Sequence, residues 1–180
     1  AIDTFGVDAS VSGGHGSVSP ASQTVDYGSN ASINIAPDVG YHIASITDNG
    51  VGQAVANPYV IGNVTANHTV VVVFAIDTFG VDASVSGGHG SVNPSSQTVD
   101  YGASASISIA PDAHYHISLI LDNGLPQTIN NPYVINNVTM NHNVVVVFAI
   151  DTYTITATAG PNGSISPAGA VSVDYGANQS

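Results

Sequence analysis

The sequence predicts an all-β protein made of tandem small antiparallel β-domains, sandwich or β-grasp-like in form. Three observations predict it. The chain repeats with a period of 74 residues, so that Ala1–Phe74 aligns without a gap on Ala75–Phe148 and a third copy begins at Ala149. Val, Ile, Thr and Tyr recur in short alternating runs that are broken by Gly, Pro, Asn and Asp. Good helix formers are scarce apart from Ala, since Lys, Arg and Glu are absent. The expected organisation is therefore two full repeats, 1–74 and 75–148, and a partial repeat over 149–180.

In the first repeat, Phe5, Val7, Ala9 and Val11 alternate with polar or small residues, which gives a half-buried strand. Gly13–Gly16 then makes a turn, and Gly160–Gly163 does so in the third copy, where Asn162-Gly163 favours positive φ and a tight hairpin. Short strands follow over Gly16–Ser19, Thr24–Tyr27 and Ala31–Ile35. The next, Tyr41–Thr47, puts Tyr41, Ile43 and Ser45 on one face and His42, Ala44 and Ile46 on the other. Asp48-Asn49-Gly50 and Asp122-Asn123-Gly124 are turns. Tyr59–Ile61 follows a proline that suits an edge strand. The Val run of Thr69–Phe74 implies burial on both faces or a central position in a sheet. This reading gives roughly seven strands per full repeat, with the third copy holding the first four or so.

The recurring stretch VVVVFAIDT, at Val70–Thr78 and Val144–Thr152, runs the last strand of one repeat into the first strand of the next, and the chain opens on the same AIDT at Ala1–Thr4. Val70, Val72, Phe74 and Ile76, with Val144, Val146, Phe148 and Ile150, are thus the candidate junction and assembly residues. A half-repeat leaves open edges and an apolar face. Either it is part of a longer array, or strands of another subunit complete it head to tail, with Ala1–Thr4 finding a neighbour's missing half, which would build a filament.

Charge narrows the function classes. All twelve acidic residues are Asp, there is no basic residue other than seven His, and the formal net charge is −12. Such a chain has no electrostatic footprint for nucleic acid. It has no apolar run long enough for a spanning helix, so membrane insertion is not expected. It contains no Cys, hence no disulfide or thiolate metal site. Trypsin finds no site, and isopeptide crosslinks through Lys are closed. No nucleophile signature such as GxSxG is present, and the Ser, His and Asp residues recur at turns, so an enzyme is not expected.

Candidate sites are few. His114 and His116 flank Tyr115 and would place two imidazoles on one strand face, a weak Zn, Cu or Ni pair present only in the second repeat. No other cofactor is expected. Calcium at the junctions, through Asp3, Asp77 and Asp151, is the remaining metal candidate, while Asp48-Asn49-Gly50 lacks the rest of a calcium loop. His68 and His142 are read as turn residues. Asn30, Asn63, Asn67, Asn137, Asn162 and Asn178 each begin an N-x-S/T sequon, which matters where the host glycosylates.

The series GPNGSISP, VDYG, GYHI, DNG and NVTANHTVVVVF resembles the divergent internalin-B-type bacterial repeat over the whole chain, as two and a half copies. The resemblance implies an extracellular or cell-surface module of stalks, spacers or adhesin scaffolds, without catalytic residues. A β-grasp-like relative would add a short helix that this sequence does not signal. The expected function is therefore structural: an extracellular fibre, filament or stalk whose partner is itself or further repeats. The alternative is an adhesin that contacts glycans or a surface through Tyr41, Tyr59, Tyr115 and Tyr133, although core packing is the commoner task of such tyrosines.

Overall fold

The computed structural model describes residues 2–180, so the part of the opening AIDT contributed by Ala1 lies outside the described residues. The chain separates into two compact units, Ala1–Thr78 and Phe79–Ser180. The 74-residue period boundary falls inside a strand, which is why the first unit runs a few residues past Phe74.

The first unit has β1 (Thr4–Ser12), β2 (Gly16–Ser19), β3 (Ser22–Asp26), β4 (Ala31–Pro37), β5 (Tyr41–Asp48), β6 (Val51–Gln53), β7 (Tyr59–Ile61) and β8 (His68–Ile76). They form a five-stranded sheet, in the order β3-β1-β8-β5-β6, and a three-stranded sheet, in the order β2-β4-β7. Inward side chains of both sheets meet in one core. Val7, Ala9, Ile46, Val70, Val72 and Phe74 come from the larger sheet, and Ala31, Ile33, Ile35, Tyr59 and Ile61 from the smaller. That is a β-sandwich. Among the described residues there is no helix, and so none long and apolar enough to cross a membrane.

Three details differ from the sequence reading. The full repeat has eight strands rather than seven, because β6 is the short return arm of a hairpin at Asn49-Gly50. Both turn residues take positive φ, 48° and 77°, and Asp48 pairs with Val51, the geometry of a two-residue type I′ turn. All three residues of β6 are exposed, so no burial alternation announces it. Second, the alternation in β5 is broken. Its pairing with β8 shifts between Ile43 and Ser45, so the bulge turns Ile46 and Asp48 to the same core side as the partly buried Tyr41 and Ile43.

The Val run takes the second of its two expected places, central in its sheet: Val70 and Val72 are fully buried, while Val73 is 37% exposed. Third, one strand pair departs from an antiparallel design. β1 and β8, the first and last strands of the unit, run parallel from Val7↔His68 to Ser12↔Val73, while the other registered pairs are antiparallel.

The second unit repeats this plan with β9 (Thr78–Ser86), β10 (Gly90–Asn93), β11 (Ser96–Asp100), β12 (Ala105–Pro111), β13 (Tyr115–Asp122), β14 (Leu125–Gln127), β15 (Tyr133–Ile135) and β16 (His142–Ile150). Its twelve-residue core occupies the same positions, 74 residues on, as that of the first. It also includes the partial repeat, which forms two strands, β17 (Thr152–Ala157) and β18 (Gly169–Asp174), rather than four. β2 and β4 pair only within the smaller sheet, so without a full second half the counterparts of neither strand are held. Gly163 N–H donates to Gly160 O in a turn, but Asn162 does not take the left-handed conformation expected of a tight hairpin, since no paired strands flank it.

Candidate functional site

The most structured polar site of each repeat lies at one end of the core, where the two sheets meet. The β5 bulge aims Asp48 inward, β8 begins with His68 across from it, and β7 begins with Tyr59. The Nδ1 of His68 lies 2.7 Å from Oδ2 and 2.9 Å from Oδ1 of Asp48, and the Tyr59 hydroxyl donates to Oδ2 over 3.4 Å. The second repeat has the same trio, with His142 Nδ1 at 2.8 Å from Asp122 Oδ2 and the Tyr133 hydroxyl at 3.1 Å. Both carboxylates are buried. Burial, then the adjacent carboxylate charge, then the hydrogen bond to it, raise the phenol pKa of Tyr59, and push that of Tyr133 up to about 12.

Chemically, this arrangement gives a buried carboxylate two hydrogen-bonding partners, an imidazole and a phenol. Among the described residues, each histidine ring hydrogen-bonds its aspartate and no nucleophilic side chain. Among the described residues no buried side-chain polar atom lacks a partner. His68 and His142, read from sequence as turn residues, are instead the inward partners of this node. Their signal was the alternation of His68 with Val70, Val72 and Phe74, which runs one residue beyond the strand start at Thr69 that the sequence marked.

His114 and His116 are not brought together on a strand face. β13 begins at Tyr115, and His114 precedes it in the left-handed region at φ 66°, so the period of two does not apply. Its ring stacks on Tyr175 at 3.4 Å between centroids, while Nδ1 of His116 lies 3.0 Å from Oδ1 of Asp151. Among the described residues, no group of three or more His, Asp, Cys or Glu is placed to hold a metal. Of the junction aspartates, Asp77 pairs with His42 at 2.7 Å and Asp151 with His116, and the Asp3 carbonyl accepts the Tyr27 N–H.

Asp151 is the link between the second repeat and the hairpin that follows. One residue separates β16 from β17. Its N–H donates to His114 O, its carbonyl accepts the Tyr175 N–H, and its carboxylate holds His116. The hairpin is thus tied to the repeat before it by backbone hydrogen bonds, a side-chain hydrogen bond and stacking together. Of the other junction residues, Val70, Val72, Phe74, Val144, Val146 and Phe148 are core residues of their own repeats, and Ile76 and Ile150 are partly buried at the strand ends.

All six sequon asparagines are exposed. Two also have structural tasks, since Oδ1 of Asn30 accepts the Asn63 N–H and Oδ1 of Asn67 accepts the Gly6 N–H. Sequence reasoning missed Asn57 and Asn131. The Asn57 amide accepts from the Ile35 N–H at 3.0 Å and donates to the Ile35 carbonyl at 2.6 Å, and Asn131 does the same for Ile109. Each replaces a strand's ladder bonds with a side chain. The tyrosines offered as surface contacts are mostly unsuited to it: Tyr59 and Tyr133 are core residues, and Tyr41 and Tyr115 stack on His15 and His89.

Against known proteins, residues 8–78 match the family model of the divergent InlB B-repeat domain, and that stretch belongs to this family. The same motifs recur 74 residues later, through Phe148. The family is associated with surface and extracellular proteins, and the fold and the period define a tandem-repeat all-β protein. No curated protein and no solved structure matches the chain.

Proposed function

We propose that the protein is a tension-bearing segment of an extracellular fibre, filament or cell-surface stalk. The observation that carries this reading is the parallel pairing of each repeat's first and last strands. The chain enters a repeat through β1 and leaves through β8, and these neighbours share six registered positions, Val7↔His68 to Ser12↔Val73. Tension on the two ends therefore pulls along the strands, and the ladder bonds resist in shear, all at once. A hairpin pulled from its open end would instead yield one bond at a time. The second repeat has the same clamp, His142↔Val81 to Val147↔Ser86. Single residues, Asp77 and Asp151, stand between the last strand of one repeat and the first strand of the next.

Single-molecule stretching of the full chain tests the reading. Two unfolding steps are expected, each releasing about one 74-residue period, at forces well above those that peel a hairpin. Extension at hairpin-like force, without discrete steps, would overturn it.

A further inference from the structure

The two complete repeats share one plan and one core, yet their outer surfaces differ. Ser45, Thr47 and Gly52 of the first repeat are replaced by Leu119, Leu121 and Pro126 in the second. All three replacements turn to the outer side of the larger sheet, because the inward positions around them on β13 are the buried Ile120 and Asp122. Leu119 faces Val147 and Leu121 faces Val145 across the β13–β16 pair, and Leu121 faces Pro126 across β13–β14. Side chains directly opposite in an antiparallel pair lie together on one face, so these residues form one continuous apolar patch. Its packing shows in exposure: Val73, beside Ser45, is 37% exposed, whereas Val147, beside Leu119, is partly buried.

The fold does not need this patch. The first repeat builds the same sheet in the same register with Ser45, Thr47 and Gly52 in those places. Within the chain the Leu and Val side chains are only partly buried, and Pro126 is exposed. Grouped apolar side chains on the solvent side of a sheet, unlike scattered single ones, mark a contact surface.

Charge selects the occupant. The outer positions of β13, β14 and β16 hold no carboxylate. Acidic groups stand at the border, where Asp82 lies on β9 beside Asn143 and Asp151 is bonded to His116 at the far end. With a net charge of −12 and no Lys or Arg, two copies repel one another over most of their surface. A patch without charge is where they meet with least repulsion. A basic partner would instead be held by the surfaces that carry Asp.

We propose that the outer face of β13, β14 and β16 pairs two copies of this chain side by side, Leu119, Leu121, Val145 and Val147 of one against the same residues of the other. One of the two complete repeats carries the patch, so the contact closes as a two-fold pair. The patch is far smaller than the roughly 20–30 residues a side of a stable complex, so the pair forms at high concentration. This goes beyond the stalk reading, because the parallel clamps resist tension in a single chain whether or not it is paired.

Sedimentation of the full chain from micromolar to millimolar concentration tests the pairing. A monomer–dimer equilibrium is expected, and added salt is expected to tighten it by screening the carboxylates around the patch. Leu119→Ser with Leu121→Thr restores the residues of the first repeat and is expected to weaken the dimer about tenfold or more. The reverse pair, Ser45→Leu with Thr47→Leu, is expected to give each chain a second face and carry association past the dimer. A chain that stays monomeric throughout would overturn the proposal. So would a dimer that the Leu119→Ser, Leu121→Thr chain keeps in full, because another surface would then hold it, and so would a dimer loosened by salt, because a charge contact would then be responsible. If the first variant fails to fold, the reverse pair decides alone, and association that stops at the dimer there overturns the proposal.

Discussion

At the scale of single residues, the chain has no basic side chain but histidine, and it places those rings where a carboxylate or a tyrosine needs a partner. Asp48 and Asp122 are the buried acidic residues, and each is held by one histidine and one tyrosine. A consequence appears at alkaline pH. The Tyr133 phenol, ordinarily at 10.0, is pushed up to about 12 in the fold. Below pH ~10 both folded and unfolded chains keep the proton, and the stabilisation is fully present. As pH rises further the unfolded chain releases it first, so stability falls until the folded phenol also ionises. Denaturation between pH 9 and 12 is expected to show this loss, on the order of 2 kcal/mol, and Tyr133→Phe is expected to flatten the slope. A slope unchanged by that substitution would remove Tyr133 as its source.

At the scale of elements, irregularities do the positioning. The bulge in β5 turns Asp48 toward His68, and the left-handed Asn49-Gly50 pair makes β6. Gly16 shows how tightly two elements meet, since its missing side chain is the space that the Phe74 ring occupies. Gly16→Ala is expected to destabilise the first repeat by about 1–3 kcal/mol, as overpacking does, with a lowered melting temperature. Phe74→Leu in the same chain is expected to restore part of the loss, and failure of that rescue would show that the ring is not the obstacle. The elements were largely legible in sequence because alternation and turn residues mark them. β6 and the bulge were not, because three exposed residues carry no pattern and one extra residue in a strand looks like any other.

At the scale of the whole molecule, protection is uneven. Each complete repeat closes its own twelve-residue core, while the hairpin leaves Tyr153, Ile155, Ile165 and Tyr175 between 45% and 55% exposed. Trypsin is expected to leave the chain intact whether folded or unfolded, since it has no Lys or Arg. A protease of broad specificity is expected to cut first within Thr158–Gly169, where few backbone groups are held. Mass spectrometry of the first fragments checks this, and an initial cut inside either complete repeat would contradict it.

The sequence by itself determined the all-β class, the 74-residue period and a side-chain inventory without Cys, Lys, Arg or Glu, because periodicity, turn residues and composition are local properties. It also carried the family resemblance that the match over residues 8–78 bears out. Only the tertiary structure decided that the first and last strands run parallel, that His68 faces Asp48 rather than a turn, and that His114 and His116 take separate partners. These depend on contacts between residues 20 to 61 positions apart, and on a bulge that reverses which face a side chain occupies. No pattern along the chain records such a pairing until the sheets are assembled.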